Sequence, residues 1–522
     1  MTGHASPRGR SGPWGHAALI VGVCAAVYWV GLGYAGFSMS EGHRVAPGWE
    51  MARGGTWWTT TMFGQAYYRK PPGMAWAVAA SAEMFGESEY AARGVSALSA
   101  TLTALVAWWF GRRWFGAIGG LAAGLASGLT PVLWEPGRSA EIEALHHLGV
   151  AAASFAVIDA LAGRGRWSAG AMLAAGLLVM VLAKGPAGVP VVAGVVVAGV
   201  IVAGARRGVD DRSAGGMRAG LVWIGLGLVA AVGVLGLVAA RFLGGGVSDG
   251  GAVTQSPGEF LWDRGRLWGV AWLIPGALAM GLPWTVAPAW ALWAWRRGDA
   301  RVSIEAKMLS LGFALGVVVY TALGVSNTRY VMPAVVLCAP VAGWIVAAVL
   351  TPGVGVAGAG RWLRLGALVM LAGAAGHHVW QESLRGGTGG RGSGKPAGVQ
   401  MAEALSAAGY TGRVVVVADG LVEARPEVLL YARRRGAELG LEIVPRWVPG
   451  LSARGVPALE GEGAVVLALR TDAGSDEWSR LVGEDADSSV GVGVISRGRA
   501  GSYTFTLVPQ TTHFNIRPTP GD

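Results

Sequence analysis

The sequence predicts a polytopic α-helical membrane protein, with about eleven crossings plus juxtamembrane helices, that ends in a small extracytoplasmic α/β domain. Three observations carry this. Of the 522 residues, 52% are hydrophobic and only 14% charged, which excludes a disordered chain and an ordinary soluble enzyme of this size. Apolar runs of spanning length recur along residues 16–379, and Arg clusters fall in alternate loops between them. After a Gly-rich stretch at 383–396 the composition changes to short strand-like runs separated by helical patterns.

The first run is His16–Phe37, preceded by Arg8 and Arg10. It is too long for a signal-peptide core, so it reads as an uncleaved first span with a cytoplasmic N-terminus. Further runs lie near 93–110, 116–133, 145–162, 168–183, 186–205, 219–240, 268–295, 308–325, 331–350 and 362–379. The pairs and triplets Arg112/Arg113, Arg164/Arg166, Arg206/Arg207/Arg212, Arg296/Arg297/Arg301 and Arg361/Arg364 close the alternation if all are cytoplasmic. Pro72–Phe85 is then too short to cross and reads as a juxtamembrane helix. Two non-cytoplasmic loops are long, roughly 38–92 and 241–267.

Three segments follow: a membrane domain at 1–382 containing the loop 38–92, a linker at 383–396, and an α/β domain at 397–522. Strands are expected at 413–418, 441–448, 464–469, 490–495 and 503–508, and helices at 397–408, 426–436 and 476–483. Residues 385–522 carry 15 basic and 15 acidic side chains, so the net charge of +10 belongs to the membrane half. Such a bias follows from the positive-inside rule and gives no evidence for nucleic-acid binding. Cys24 and Cys338 both sit in apolar runs, which excludes a disulfide framework and a cysteine metal cluster.

Ionisable residues at a membrane face are costly and therefore informative. Glu41 and His43 lie just past the first span, and Arg69-Lys70 precede Pro71-Pro72. Two prolines fix an extended entry, holding the basic pair in a set direction, suited to a lipid phosphate. The competing reading is non-specific headgroup contact. Arg138–Glu143 carries Glu141 and Glu143, which also suit an ordinary helix N-terminus. His146 and His147 are adjacent, about 100° apart on a helix, and make a poor chelate. Ala183-Lys184-Gly185-Pro186 and Thr328-Arg329-Tyr330 add cations on the same expected face. Carboxylates, a Lys-Pro-Pro corner and further cations on one face suit a reaction between a lipid-linked phosphate donor and an acceptor hydroxyl.

The stretch 40–116 resembles the bacterial lipid-linked-sugar glycosyltransferases of the protein O-mannosyltransferase/aminoarabinose transferase superfamily. The resemblance rests on Glu50-Met51, on Gly64 through Tyr67-Tyr68-Arg69-Lys70-Pro71-Pro72, on Phe85-Gly86-Glu87-Ser88-Glu89-Tyr90-Ala91-Ala92-Arg93 and on Gly111-Arg112-Arg113-Trp114-Phe115-Gly116. It continues more weakly through Arg138–Glu143, Lys184, Leu282-Pro283-Trp284 and Arg329-Tyr330. It implies a C-type glycosyltransferase fold, a polyprenyl-phosphate sugar donor, and inverting transfer at the outer face of the inner membrane to a protein, lipid or glycan acceptor. No cofactor is required, and a divalent metal is allowed but not demanded. The family's Lys-Pro-Pro lysine falls on Lys70, and its first-loop acidic pair falls on Ser40 and Glu41. Its second acid falls on Glu143.

Ser40 standing where the family has Asp is a departure, because a serine is no general base without an activating partner. Glu41 is then expected to act as base with His43 assisting, Glu143 as second carboxylate, and Lys70 as clamp on the donor phosphate. Arg69, Arg93 and Arg329 support Lys70, with Tyr330, Arg264 and Arg266 as weaker phosphate ligands. The alternative is an inactive relative, or a polyprenyl-lipid binding or carrier protein, that keeps the Lys70 corner and has lost the base. A secondary transporter is a third reading, disfavoured by the absence of a repeat in the sequence.

Overall fold

The computed structural model describes residues 13–164, 167–205, 211–243, 281–323, 328–350, 394–449, 464–470, 496–500 and 503–509, with 274–276, 278–280, 325, 366, 369–370, 372–377, 379 and 451. The chain divides into two compact units. One holds residues 1–30, 96–238 and 256–377; the other holds 31–95, 239–255 and 378–522. The first loop thus belongs to the same unit as the C-terminal residues, three hundred positions away in the chain.

Among the described residues, six helices are long and apolar enough to cross a membrane: Glu89–Gly128, Ile142–Arg164, Trp167–Gly204, Gly216–Arg241, Ile304–Ala322 and Met332–Leu350. A shorter apolar helix, Pro13–Trp29, corresponds to the first expected span but ends eight residues earlier than the apolar run. The protein is a multi-pass membrane protein. Two of the six helices each contain two expected crossings. Glu89–Gly128 breaks at Gly116, whose φ of 76° and ψ of −175° suit glycine alone, just after the Arg112/Arg113 pair. Trp167–Lys184 and Val189–Gly204 are joined by a 3-10 turn, Gly185–Gly188. The expected span at 268–295 is described over most of its length, as helical residues at 274–276 and 278–280, turns at 281–285 and the helix Val286–Arg296, so a turn interrupts it; the described residues within 362–379 are helical.

Within the helical unit, Ile142–Asp159 is buried along nearly its whole length. It packs on Trp167–Lys184 through small residues: a Cβ on Gly149 would stand 2.4 Å from the Met180 nitrogen. Such close backbone approach replaces the hydrophobic drive that is missing between helices in lipid. The helix Asp211–Leu243 behaves oppositely. Val229 and Leu237 are 71% and 70% exposed, as expected of a surface that faces hydrocarbon.

The second unit begins with the helix Met39–Ala52, a two-stranded hairpin of β1 (Thr61–Met62) and β2 (Gln65–Ala66), and the helix Gly73–Phe85. The last coincides with the short segment read as non-spanning. The C-terminal part is a five-stranded sheet of β3 (Gly412–Ala418), β4 (Leu441–Trp447), β5 (Ala464–Arg470), β6 (Ser496–Ala500) and β7 (Tyr503–Pro509), in the order β4-β3-β5-β7-β6. The strand β3, inside the sheet between β4 and β5, is parallel to both neighbours, and its Val414–Ala418 run is fully buried, which is why it reads as continuous rather than alternating apolar sequence. Helices Lys395–Ala407 and Pro426–Glu438 pack together in the same unit. The strand at 490–495 and the helix at 476–483 lie outside the described residues; β6 begins at Ser496 instead.

Candidate active site

In the loop unit, Ser38 precedes the helix Met39–Ala52 and Glu41 occupies its third position, accepting a hydrogen bond from the Ser38 amide at 2.8 Å. The sequence leaves room for an irregular segment in which Glu41 replaces the acid lost at Ser40. The helix is regular, so the two side chains diverge by about 100°. Ser40 stays half-buried near the helix start. Glu41 is fully buried and clamped by Arg93, from Nε to Oε1 at 2.7 Å and from Nη2 to Oε2 at 3.0 Å.

Arg93 donates its remaining N–H groups to the Leu32, Ala35 and Gly36 carbonyls at 2.7–3.0 Å. Its five donors are all engaged, and its guanidinium lies 5.4 Å from the Phe37 ring centre. The residues expected as base and as phosphate support are thus bonded to each other in the structure. Neither side chain reaches solvent, and each fixes the turn that enters the loop.

His43 lies two residues further along that helix. Its Nε2 is 3.0 Å from the Glu423 carbonyl, an oxygen that can only accept, so Nε2 carries the proton. Nδ1 is then an acceptor, with the Tyr67 hydroxyl 3.5 Å away and the two rings stacked at 13°. Burial, then the Arg44 and Arg69 cations, lower its pKa to about 4, against the Glu423 hydrogen bond that raises it. The imidazole is neutral at pH 7. Arg69 pairs with the Glu423 carboxylate at 3.3 Å, both partly exposed. Lys70 is half-buried immediately before Pro71-Pro72, and Pro72 occupies the position just before the helix Gly73–Phe85. Glu50 accepts a hydrogen bond from Thr61 at 2.7 Å and ties the hairpin to the helix. Burial raises its pKa, opposed by that bond and by the Phe63 and Gly64 amides.

In the helical unit, Glu141 caps the helix Ile142–Asp159 and Glu143 lies in its first turn, buried. Lys184 ends the helix Trp167–Lys184 and donates to Glu143 Oε1 at 3.2 Å, with its ammonium 4.9 Å from the Tyr330 ring centre. The lysine that also suits an ordinary helix terminus is in fact half of a buried ion pair. Arg138 donates to the Val27 and Val30 carbonyls at 2.9 and 2.7 Å, satisfying the orphan end of the first helix. His146 and His147 are buried with ring centres 6.3 Å apart. Among the described residues, no group of three or more His, Cys, Asp or Glu could hold a metal ion. Arg329 is exposed beside the half-buried Tyr330, and Arg264 and Arg266 lie outside the described residues.

Sequence reasoning brought out Lys70, Glu143 and His43. It missed Tyr67 and Glu423, because a ring stack 24 residues apart and a carbonyl 380 residues away leave no local signal.

Residues 69–232 match the family model of dolichyl-phosphate-mannose-protein mannosyltransferases. The matched segment takes in Lys70, Arg93, Glu143 and Lys184 but begins after Ser40, Glu41 and His43. No curated protein matches the chain significantly. Among solved structures, the chain is similar to ArnT from Cupriavidus metallidurans in its apo state, at 20% identity and a TM-score of 0.59, over 95% of this chain and 98% of that one. It is likewise similar to the same protein bound to undecaprenyl phosphate, at 18% identity and a TM-score of 0.58, over 94% and 98% of the two chains. The likeness spans both units.

Proposed function

We propose that this chain, a membrane glycosyltransferase of the C-type superfamily by its family match and fold, transfers a sugar from a polyprenyl phosphate to an acceptor hydroxyl with inversion. The reading places it in a bacterial inner membrane, with the loop 38–92 and the C-terminal residues on the outer side. The observation that carries it is the Lys70-Pro71-Pro72 corner, which lies inside the family-matched segment and stands ahead of a short, non-spanning helix. The undecaprenyl phosphate bound to ArnT supports the donor class.

In this reaction the acceptor oxygen bonds to the anomeric carbon while the carbon–oxygen bond to phosphate breaks. The electron pair leaves with the polyprenyl phosphate, already an anion, so cationic stabilisation matters more than protonation. Lys70, with Arg69 beside it, holds that phosphate; Arg329, Tyr330, Arg264 and Arg266 remain weaker phosphate ligands in the proposal. Glu143, paired with Lys184, is the second carboxylate and steadies positive charge on the sugar. His43 takes the acceptor proton at Nδ1. A base with a conjugate-acid pKa of about 4 is weak. It suffices once the acceptor oxygen has begun to bond to carbon, when its proton is strongly acidic. No cofactor is demanded, and a divalent metal is allowed in the proposal.

The test is Lys70→Ala in purified protein. Donor binding should weaken by about 1.5–3 kcal/mol, the value of a charge-assisted contact. Unchanged affinity for polyprenyl phosphate would return Lys70 to a bulk-lipid anchor. A second reading, a lipid-binding protein without turnover, is favoured by Ser40 and by the enclosure of Glu41. Donor binding by wild type with no sugar released to any acceptor, in membranes or in purified form, would establish it.

A further inference from the structure

The C-terminal residues have no chemistry of their own in the reading above, yet they meet the loop at its chemically active side chain. The Glu423 carbonyl, in the short helix Gly420–Ala424, receives His43 Nε2–H at 3.0 Å. The Glu423 carboxylate meets Arg69 at 3.3 Å. The Tyr67 ring also meets Trp447 at the end of β4, ring centres 6.2 Å apart and tilted by 51°, and the Trp447 amide donates to the Phe63 carbonyl at 2.9 Å.

One residue ties these contacts together. Asp419 accepts from Trp447 Nε1 on Oδ1 at 2.9 Å and from the Leu451 amide on Oδ2 at 3.2 Å, directly before the helix that carries Glu423. Nearby, Gly42 admits the chain turn at Pro426–Glu427, where a Cβ would stand 2.8 Å from the Glu427 amide nitrogen. His43 is thus met by a carbonyl at one ring nitrogen and by the Tyr67 ring, which Trp447 in turn contacts. The carbonyl and Trp447 both come from the C-terminal residues, the first from the helix Gly420–Ala424 and the second from the end of β4.

We propose that the segment Asp419–Trp447 is a positioning element for the transfer reaction: it fixes His43 as the Nε2–H tautomer and so turns the Nδ1 lone pair to the side where Tyr67 stands. Asp419 and Glu423 are positioning residues acting through His43. The inference rests on the glycosyl-transfer reading, but its central claim, the tautomer, is measurable without turnover.

The experiment uses full-length protein in detergent micelles with ¹⁵N-labelled histidine, eight residues in all, and His43→Gln to assign the resonance. Wild type should show His43 as a neutral Nε2–H ring at pH 7. Asp419→Ala should mix the tautomers and lower kcat tenfold or more while leaving KM for the donor within twofold. Tyr67→Phe should keep the tautomer and lower kcat less. An Nδ1–H ring in wild type overturns the proposal, and so does an Asp419→Ala protein whose tautomer and kcat match wild type. If Asp419→Ala fails to fold, the wild-type and Tyr67→Phe spectra still decide it. An absence of sugar transfer by wild type, with the tautomer as expected, would refute the transferase reading and leave the positioning geometry standing.

Discussion

Two buried ion pairs, one in each unit, look alike in the sequence and differ in what they do. Glu41–Arg93 is saturated: five guanidinium N–H groups find acceptors, and the carboxylate is held bidentately with no exposed surface. Glu143–Lys184 pairs a carboxylate at 3.2 Å with an ammonium that also lies over the Tyr330 ring. The guanidinium is a rigid fork and suits a permanent joint; the ammonium is a point charge that can change partner during a reaction. A family motif therefore marks position without marking role. An acid at the expected place is held by a guanidinium fork in one region and by an ammonium in the other.

The largest test of this contrast is Arg93→Met. It leaves Glu41 buried without its partner and three carbonyls without donors, so it should destabilise the protein by about 3–5 kcal/mol. Thermal unfolding in detergent, followed by circular dichroism, reads the loss; a variant within 1 kcal/mol of wild type would break the comparison. Next is the pair Glu143→Gln and Glu41→Gln. Glu143→Gln should cost about 10²–10³ in turnover, the loss of a charge set against the developing cation. Glu41→Gln should cost stability, on the order of 2–3 kcal/mol for a lost charged hydrogen bond, and little turnover per folded molecule. The reverse pattern in a radiolabelled-donor assay would restore Glu41 as the base.

A smaller effect concerns Glu427, buried beside Arg425 at 2.6 Å, with its Oε2 lacking a hydrogen-bond partner. Burial first, and Glu41 last, raise its pKa from 4.5 to about 7, against the pull of Arg425. The folded state then holds this proton more tightly than the unfolded state. Its contribution is fully present below pH 4.5 and is lost as pH rises to about 7. Glu427→Gln should flatten that part of the stability profile, a change of about 1–3 kcal/mol between pH 4.5 and 7.5. An unaltered slope would show that Glu427 titrates normally. The smallest expected effect is Glu423→Gln, which breaks only the partly exposed pair with Arg69. It should shift stability by less than about 1 kcal/mol and fade with added salt.

Much of the helical unit was legible because lipid imposes a simple rule on composition. Runs such as 145–162 and 219–240 have nearly the observed bounds, since a change of solvent at the membrane face changes residue type there. What the runs do not disclose is which helix the protein covers. Ile142–Asp159 carries Glu143, His146, His147 and Asp159 and is enclosed, while 219–240 carries no ionisable residue and faces outward. The ionisable residues were the readable sign of that difference. The strands of the C-terminal sheet were found from β-branched runs such as Val414–Val417. The site was read less well. Local motifs located Lys70 and Glu143, but the state of each carboxylate depends on partners 41 to 52 residues away, and that of His43 on a carbonyl 380 residues away.

That last separation sets a timetable for biosynthesis. Residue 43 leaves the ribosome long before residue 423, and at roughly 5–20 residues per second the interval is about 20–80 seconds. Throughout it, the helix Met39–Ala52 lacks the turn that later closes against Gly42, and Glu89 lacks Tyr431 and Arg434. The nascent loop must wait incomplete while the membrane helices are inserted. Premature termination anywhere before the sheet would leave it so permanently, and a truncated chain would present quality-control proteases with an uncovered loop rather than a smaller working enzyme.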